Sequence, residues 1–187
     1  MTLVRHRFSP LQRFLHWLMA ICILAMLFIG VGMVSTIAPK YLPLISIHKS
    51  LGIAILVLAV IRLVVRLIYG APPLPIDLPA PIKLAASLSH YVLYALMFVM
   101  PLLGWAMLSA AAYPVVLYGG VRLPAILPQS DSLHTLFWDA HFYLAFLFFA
   151  VFLMHFAAAL FHALVRRDGV FESMASVSTR DELTPAE

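Results

Sequence analysis

HFYLAFLFFAVFLMH, residues 141–155, is the stretch that decides how this chain folds. Thirteen uncharged residues separate its two histidines. A spacing of fourteen residues is close to four turns of α-helix, so both rings point the same way, about 21 Å apart along the axis. The apolar run extends outward to about residues 137–165, longer than the ~20 residues needed to cross a hydrocarbon core. Lipid penalises an imidazole, so an ionisable group in a span faces the protein interior and serves something there. His141 and His155 therefore put two polar groups at two depths of one membrane helix.

Three more runs of this kind precede it, at about residues 14–34, 44–69 and 88–108. Hydrophobic residues make up 64% of the 187 and charged residues 11%, against about a quarter charged in soluble domains. The expected fold class is all-α: an integral membrane four-helix bundle over residues 1–171, followed by a polar tail at 172–187 that is expected to be mobile. The first run is too long for the apolar core of a signal peptide and lacks a small-residue cleavage site, so it is expected to remain as a helix. Cys22 lies within an apolar run, and a single cysteine provides no disulfide framework.

The net charge of +4 sits beside the apolar runs, which points to membrane topology and not to nucleic acid. Arg5, Arg7, Arg13, Arg62, Arg66, Lys83, Arg166, Arg167 and Arg180 flank one side; Lys40, Lys49 and Arg122 flank the other. The positive-inside rule then places both termini in the cytoplasm. The link at 70–81 reads as a proline-stiffened cytoplasmic bridge. The longest connection, 109–135, contains Gly119, Gly120 and three prolines and is expected to form an external cap without helical regularity.

Depth pairs the histidines. His16 and His155 fall near the cytoplasmic rim, His48 and His141 near the outer rim. Each pair can supply two axial nitrogens to one iron, and two bis-histidine b haems stacked across the bilayer are the reading this pattern favours. Gly52, one turn beyond His48, leaves room for a porphyrin to approach the helix backbone. Arg62 and Arg66 continue the His48 stripe to the inner depth, where guanidinium suits haem propionates. The alternative use of these histidines is an ion site such as zinc in a transporter or scaffold, which needs three or four ligands at one point. His6 and His134 are left as interface or structural groups, and Gly30 and Gly32 as helix-packing contacts.

The contexts of these residues carry a resemblance. RFLHWL around His16, HKSLGI around His48 with RLVVR after it, PLLGW from Pro101, and HFYLAF with MHFAAALFH in the fourth span resemble the bacterial cytochrome b561 family over about residues 9–172. The resemblance implies a dihaem cytochrome b of the bacterial inner membrane, similar to the cytochrome b subunits of formate dehydrogenases and nickel–iron hydrogenases. It supports His16, His48, His141 and His155 as ligands and implies quinone, such as ubiquinone, as the inner-side partner. For some members it implies superoxide oxidation on the outer side, which would make the chain a superoxide:ubiquinone oxidoreductase. His162, two turns beyond His155, and His90, at the same edge, are candidates to donate a hydrogen bond to a quinone carbonyl. The linker here carries Asp77, with Lys83 at its end, where some relatives bear lysines. A second function class remains beside the self-contained electron carrier: a membrane anchor relaying electrons for a larger soluble redox partner subunit.

Overall fold

A computed structural model describes residues 3–5, 7–175 and 183–185. A short strand β1 (Leu3–Arg5) leads into four long helices: α1 (Pro10–Val34), α2 (Tyr41–Tyr69), α3 (Ala80–Ala110) and α4 (Asp131–Phe161). All four are long and apolar enough to cross a membrane. Between α3 and α4 lie β2 (Val115–Val116) and β3 (Arg122–Leu123); a six-residue helix α5 (Val170–Ala175) and β4 (Leu183–Pro185) follow α4.

The sequence sets the helix boundaries by capping chemistry. Ser9 Oγ accepts from the Gln12 amide while Gln12 Oε1 accepts from the Ser9 amide, a capping box that satisfies two orphan donors at the start of α1. Gly70 ends α2 at φ +67°, a conformation that costs glycine little. Helices α3 and α4 both begin earlier than hydropathy suggests. Ser130 Oγ accepts from Leu133 N at 3.4 Å, and Asp131 favours the positive end of the helix; this polar first turn hides the start of α4 from a search for apolar runs. Pro79, preceding Ala80 and Pro81, sets the same early start for α3.

The connection between α3 and α4 is the ordered cap its sequence suggests, but it is shorter, because α3 runs to Ala110 and α4 starts at Asp131, and it contains one helical turn at Tyr118–Gly120. Strands β2 and β3 pair antiparallel around a tight turn in which Gly119 and Gly120 take positive φ. Trp105 Nε1 donates to the Pro124 carbonyl at 2.9 Å, and the Tyr118 amide donates to Ser50 Oγ at 2.9 Å. The cap is thus fastened to α3 and to the turn of α2 that carries His48.

Sequential helices pack against each other, α1 on α2, α2 on α3 and α3 most extensively on α4. Among the described residues, α4 makes no comparable backbone approach to α1 or α2. Met19, Ile23, Ile55, Ala59, Met97 and Phe148 form the centre of a buried cluster at mid-bundle. Most other apolar side chains, among them Phe14, Ile21, Phe28, Leu67 and Phe146, face outward, as lipid allows and water does not.

At the opposite end from the cap, α4 passes into a π-helical turn, His162–Arg166, closed by Arg167 in the left-handed region. The Phe8 amide donates to the Ser173 carbonyl and Trp17 Nε1 to the Met174 carbonyl. The start of α1 and helix α5 therefore lie on one face of the bundle, called here the terminal face. Helix α5 includes Glu172 to Ala175, the first residues of the segment read as tail; residues 176–182 and 186–187 of that tail, like His6, lie outside the described residues.

Candidate cofactor sites

Two histidine pairs stand at the two ends of the mid-bundle cluster. Toward the cap, His48 on α2 faces His141 on α4, ring centres 6.1 Å apart and planes at 65°. Toward the terminal face, His16 on α1 faces His155 on α4 at 6.2 Å and 68°. With metal–imidazole bonds of about 2.0–2.1 Å and about 1.1 Å more from nitrogen to ring centre, opposed imidazoles on one metal have centres about 6.3 Å apart. Both pairs match that span. Each pair also bridges helices whose backbones do not pack closely, α2 to α4 and α1 to α4.

The cap-side pair makes few polar contacts with the protein. His48 Nδ1 and His141 Nδ1 are buried without a well-formed hydrogen bond, although the Met100 carbonyl lies near the His141 ring. With a metal on Nε2 each Nδ1 would carry the ring proton, and at His141 the Met100 carbonyl is placed to accept it. Gly104 faces this ring: a Cβ built there would stand 3.4 Å from His141 Cε1 and 3.7 Å from Nδ1. Its signal in the sequence is a glycine in a bulky span at the depth of His48, within the PLLGW stretch but with no role read from it. Gly52 has the Met26 methyl 3.7 Å from a built Cβ, so the space beside it is bounded by a flexible thioether.

At the terminal-side pair, Arg62 Nη2 donates to His16 Nδ1 at 2.8 Å, and its guanidinium lies 5.7 Å from the Tyr94 ring centre. His90 packs edge-on against His155, centres 5.1 Å apart, with its Nδ1 2.6 Å from the Ala86 carbonyl. That separation is a ring contact, too short to admit a metal between the rings. His155 therefore has His16 as its opposed partner and His90 as a neighbour. Arg66 does not join this group: Nη1 donates to the Gly70 carbonyl at 3.0 Å and the guanidinium stacks on Phe8. His134, on the cap face, has Nδ1 3.1 Å from the Met107 carbonyl, near the C-terminal end of α3.

His162 occupies the terminal edge, buried at the start of the π-turn. Its Nδ1 lies 2.8 Å from Asp168 Oδ2 and 3.0 Å from Oδ1. Arg166 Nε donates to Asp168 at 2.9 Å and its Nη2 to Asp77 at 2.7 Å. Burial raises the Asp168 carboxyl, but hydrogen bonds from Arg166, His162 and the Val170 amide outweigh it and hold the group below the ordinary carboxylate range. Among the described residues no three histidine, cysteine or carboxylate side chains converge on one point, which is unlike the donor set of a zinc site. The donors instead come as opposed pairs.

The profile of the prokaryotic cytochrome b561 family matches residues 7–176. The chain belongs to that family. It is 30% identical over 178 residues to cytochrome b561 homolog 2 of Escherichia coli K12, covering 94% of each chain. It is 30% identical to the probable superoxide oxidase CybB of Yersinia pestis, over 90% of this chain and 95% of that one. Cytochrome b561 homolog 1 of Escherichia coli K12 is 28% identical over 90% of this chain and 97% of its own. Membership makes this a bacterial membrane cytochrome with b-type haem that transfers electrons across the bilayer to or from a redox partner. The paired imidazoles, with ring centres spaced for a metal between them, fit that cofactor.

Proposed function

We propose that the protein holds two haems b, on His48 with His141 and on His16 with His155, and carries electrons between an outer one-electron donor such as superoxide and the ubiquinone pool at the cytoplasmic side of the inner membrane. The observation that carries this reading is the pair of imidazole separations, 6.1 and 6.2 Å, at opposite ends of one buried core. A haem with two histidine ligands supplies one-electron exchange at iron and has no open position for substrate.

The protein's own groups do the rest. For His16 to ligate through Nε2, its proton must reside on Nδ1, and Arg62 must release that nitrogen, since a guanidinium can only donate. Arg62 is then available to an anion at the same depth, and we assign it to a haem propionate. Arg66 holds the end of α2 and acts on the charge of this face from a distance. Gly52 gives porphyrin access along α2 once the Met26 side chain yields. His162 and His90 sit at the terminal edge, where a quinone carbonyl needs a donor that also exchanges protons. On the cap face Lys40, Lys49 and Arg122 are opposed by Asp131 and Asp139, so steering of an anionic donor is weak.

The quinone assignment is tested by stopped-flow haem reduction with decylubiquinol. His162→Ala is expected to slow it at least roughly tenfold, the usual contribution of a positioned proton acceptor being larger still. Wild-type rates in both His162→Ala and His90→Ala would overturn the assignment.

A further inference from the structure

We propose that Asp168 is a positioning residue for proton transfer, fixing the proton of His162 on Nδ1 so that Nε2 is the atom that exchanges a proton with quinol or quinone. The proposal rests on the reading of His162 as a quinone-site residue and adds a partner to it. Both carboxylate oxygens lie within 3.0 Å of His162 Nδ1. An ionised carboxylate accepts and never donates, so Nδ1 must carry the hydrogen and the lone pair of the neutral ring is at Nε2.

Two further contacts immobilise the carboxylate, and a third holds Arg166 in place. Arg166 Nε donates to Oδ2 at 2.9 Å, the Val170 amide donates to Oδ1 at 3.3 Å, and Arg166 is itself held by Asp77 of the linker at 2.7 Å. The π-turn contributes as well, because the Arg167 amide bonds back to the His162 carbonyl at 2.7 Å. Single π-turns recur at functional sites, and this one brings residue 168 under the ring of residue 162. Fixing an imidazole's tautomer and orientation is how a buried aspartate assists a general base in other enzymes.

Oxidation of one quinol releases two electrons, to two one-electron acceptors of the ferric-haem type, and two protons. One O–H proton passes to His162 Nε2 and the other to water. The ring, now protonated at both nitrogens, stays bonded to the carboxylate and returns the Nε2 proton to water at the terminal face. Quinone reduction is the same sequence reversed.

The test uses the haem-loaded protein in detergent, with decylubiquinol as reductant and the haem-reduction rate followed against its concentration. Asp168→Asn is isosteric and retains a side-chain oxygen for the Val170 amide, but its amide can turn an N–H toward Nδ1 and stabilise the wrong tautomer. Its maximal rate is expected to fall roughly tenfold or more, while the half-saturating quinol concentration moves less than about threefold and the haem spectrum is unchanged. Asp168→Ser keeps a cap for α5 without a carboxylate and is expected to be as slow. Combining Asp168→Asn with His162→Ala is expected to be no slower than His162→Ala alone, as for groups that act as a unit. Wild-type maximal rates in Asp168→Asn and Asp168→Ser, with His162→Ala slow, would overturn the role of Asp168 alone. A wild-type rate in His162→Ala would remove the quinone reading and this proposal together.

Discussion

Gly104 offers the sharpest test of the cap-side site, because two substitutions there should act in opposite directions. A methyl group at this position would stand 3.4 Å from His141 Cε1, at the edge of ordinary carbon–carbon contact of about 3.5–4.0 Å. Gly104→Ala therefore fits with a shift of a few tenths of an ångström. It also removes a glycine from a helix interior, which is worth roughly 0.5–1 kcal/mol. Gly104→Val adds two γ carbons, each about 1.5 Å beyond Cβ, and β-branching leaves few rotamers in a helix to avoid the ring. The His141 ring would have to withdraw by on the order of 1 Å, several times the ~0.2 Å tolerance of a metal–ligand distance. The expected result is that Gly104→Ala keeps the wild-type haem content and melts slightly higher. Gly104→Val should lose the His48–His141 haem while keeping the other. Reduced-minus-oxidised spectra with a pyridine haemochrome count read both. A valine variant with wild-type haem content and spectrum would refute the placement of His141 against α3.

Other consequences follow from single contacts. Arg62→Ala removes a cation beside the His16–His155 pair, so the oxidised, more positive iron is favoured there. The potential of that haem should fall, on the order of tens of millivolts, in a redox titration. Ser130→Ala removes the side chain that accepts from Leu133 N and should lower stability by about 1 kcal/mol, read as a lower melting temperature with unchanged haem spectra. Asp168 is held below its ordinary value by Arg166 and His162 against the opposing effect of burial. Its contribution to stability is therefore present above the unfolded carboxylate value of about 3.9 and is lost as pH falls below it. Melting temperatures of wild type and Asp168→Asn should converge over that acid range and differ at neutral pH.

The four helices are legible in the sequence because lipid imposes length and apolarity on every span, and little else competes with that signal. Their ends are less so. The segments Ala80 to Ser87 and Asp131 to Leu136 are helical, yet proline and polar residues make them look like loops; only Pro81 in the first turn of α3 and the Ser130 cap of α4 give them away. Spacing along one helix places His141 and His155 on a common face, and alternating span direction sorts the other histidines by depth. Contacts between helices carry no such signal. Arg66 shares the face of His48 by periodicity, but its long side chain turns to the Gly70 carbonyl and Phe8. The approach of Gly104 to His141, the edge contact of His90 on His155 and the seat of Met26 beside Gly52 all depend on how separate helices meet. The Asp168 contact depends on a π-turn, a backbone feature for which the HALVR stretch gives no warning.

The most direct test of the account is the number and ligation of the haems. A pyridine haemochrome count per chain on the purified protein should give two haems b with low-spin spectra. His48→Ala or His141→Ala should each remove one haem, and His16→Ala or His155→Ala the other. A well-folded protein with no haem, or with a single haem lost in all four variants, would contradict it.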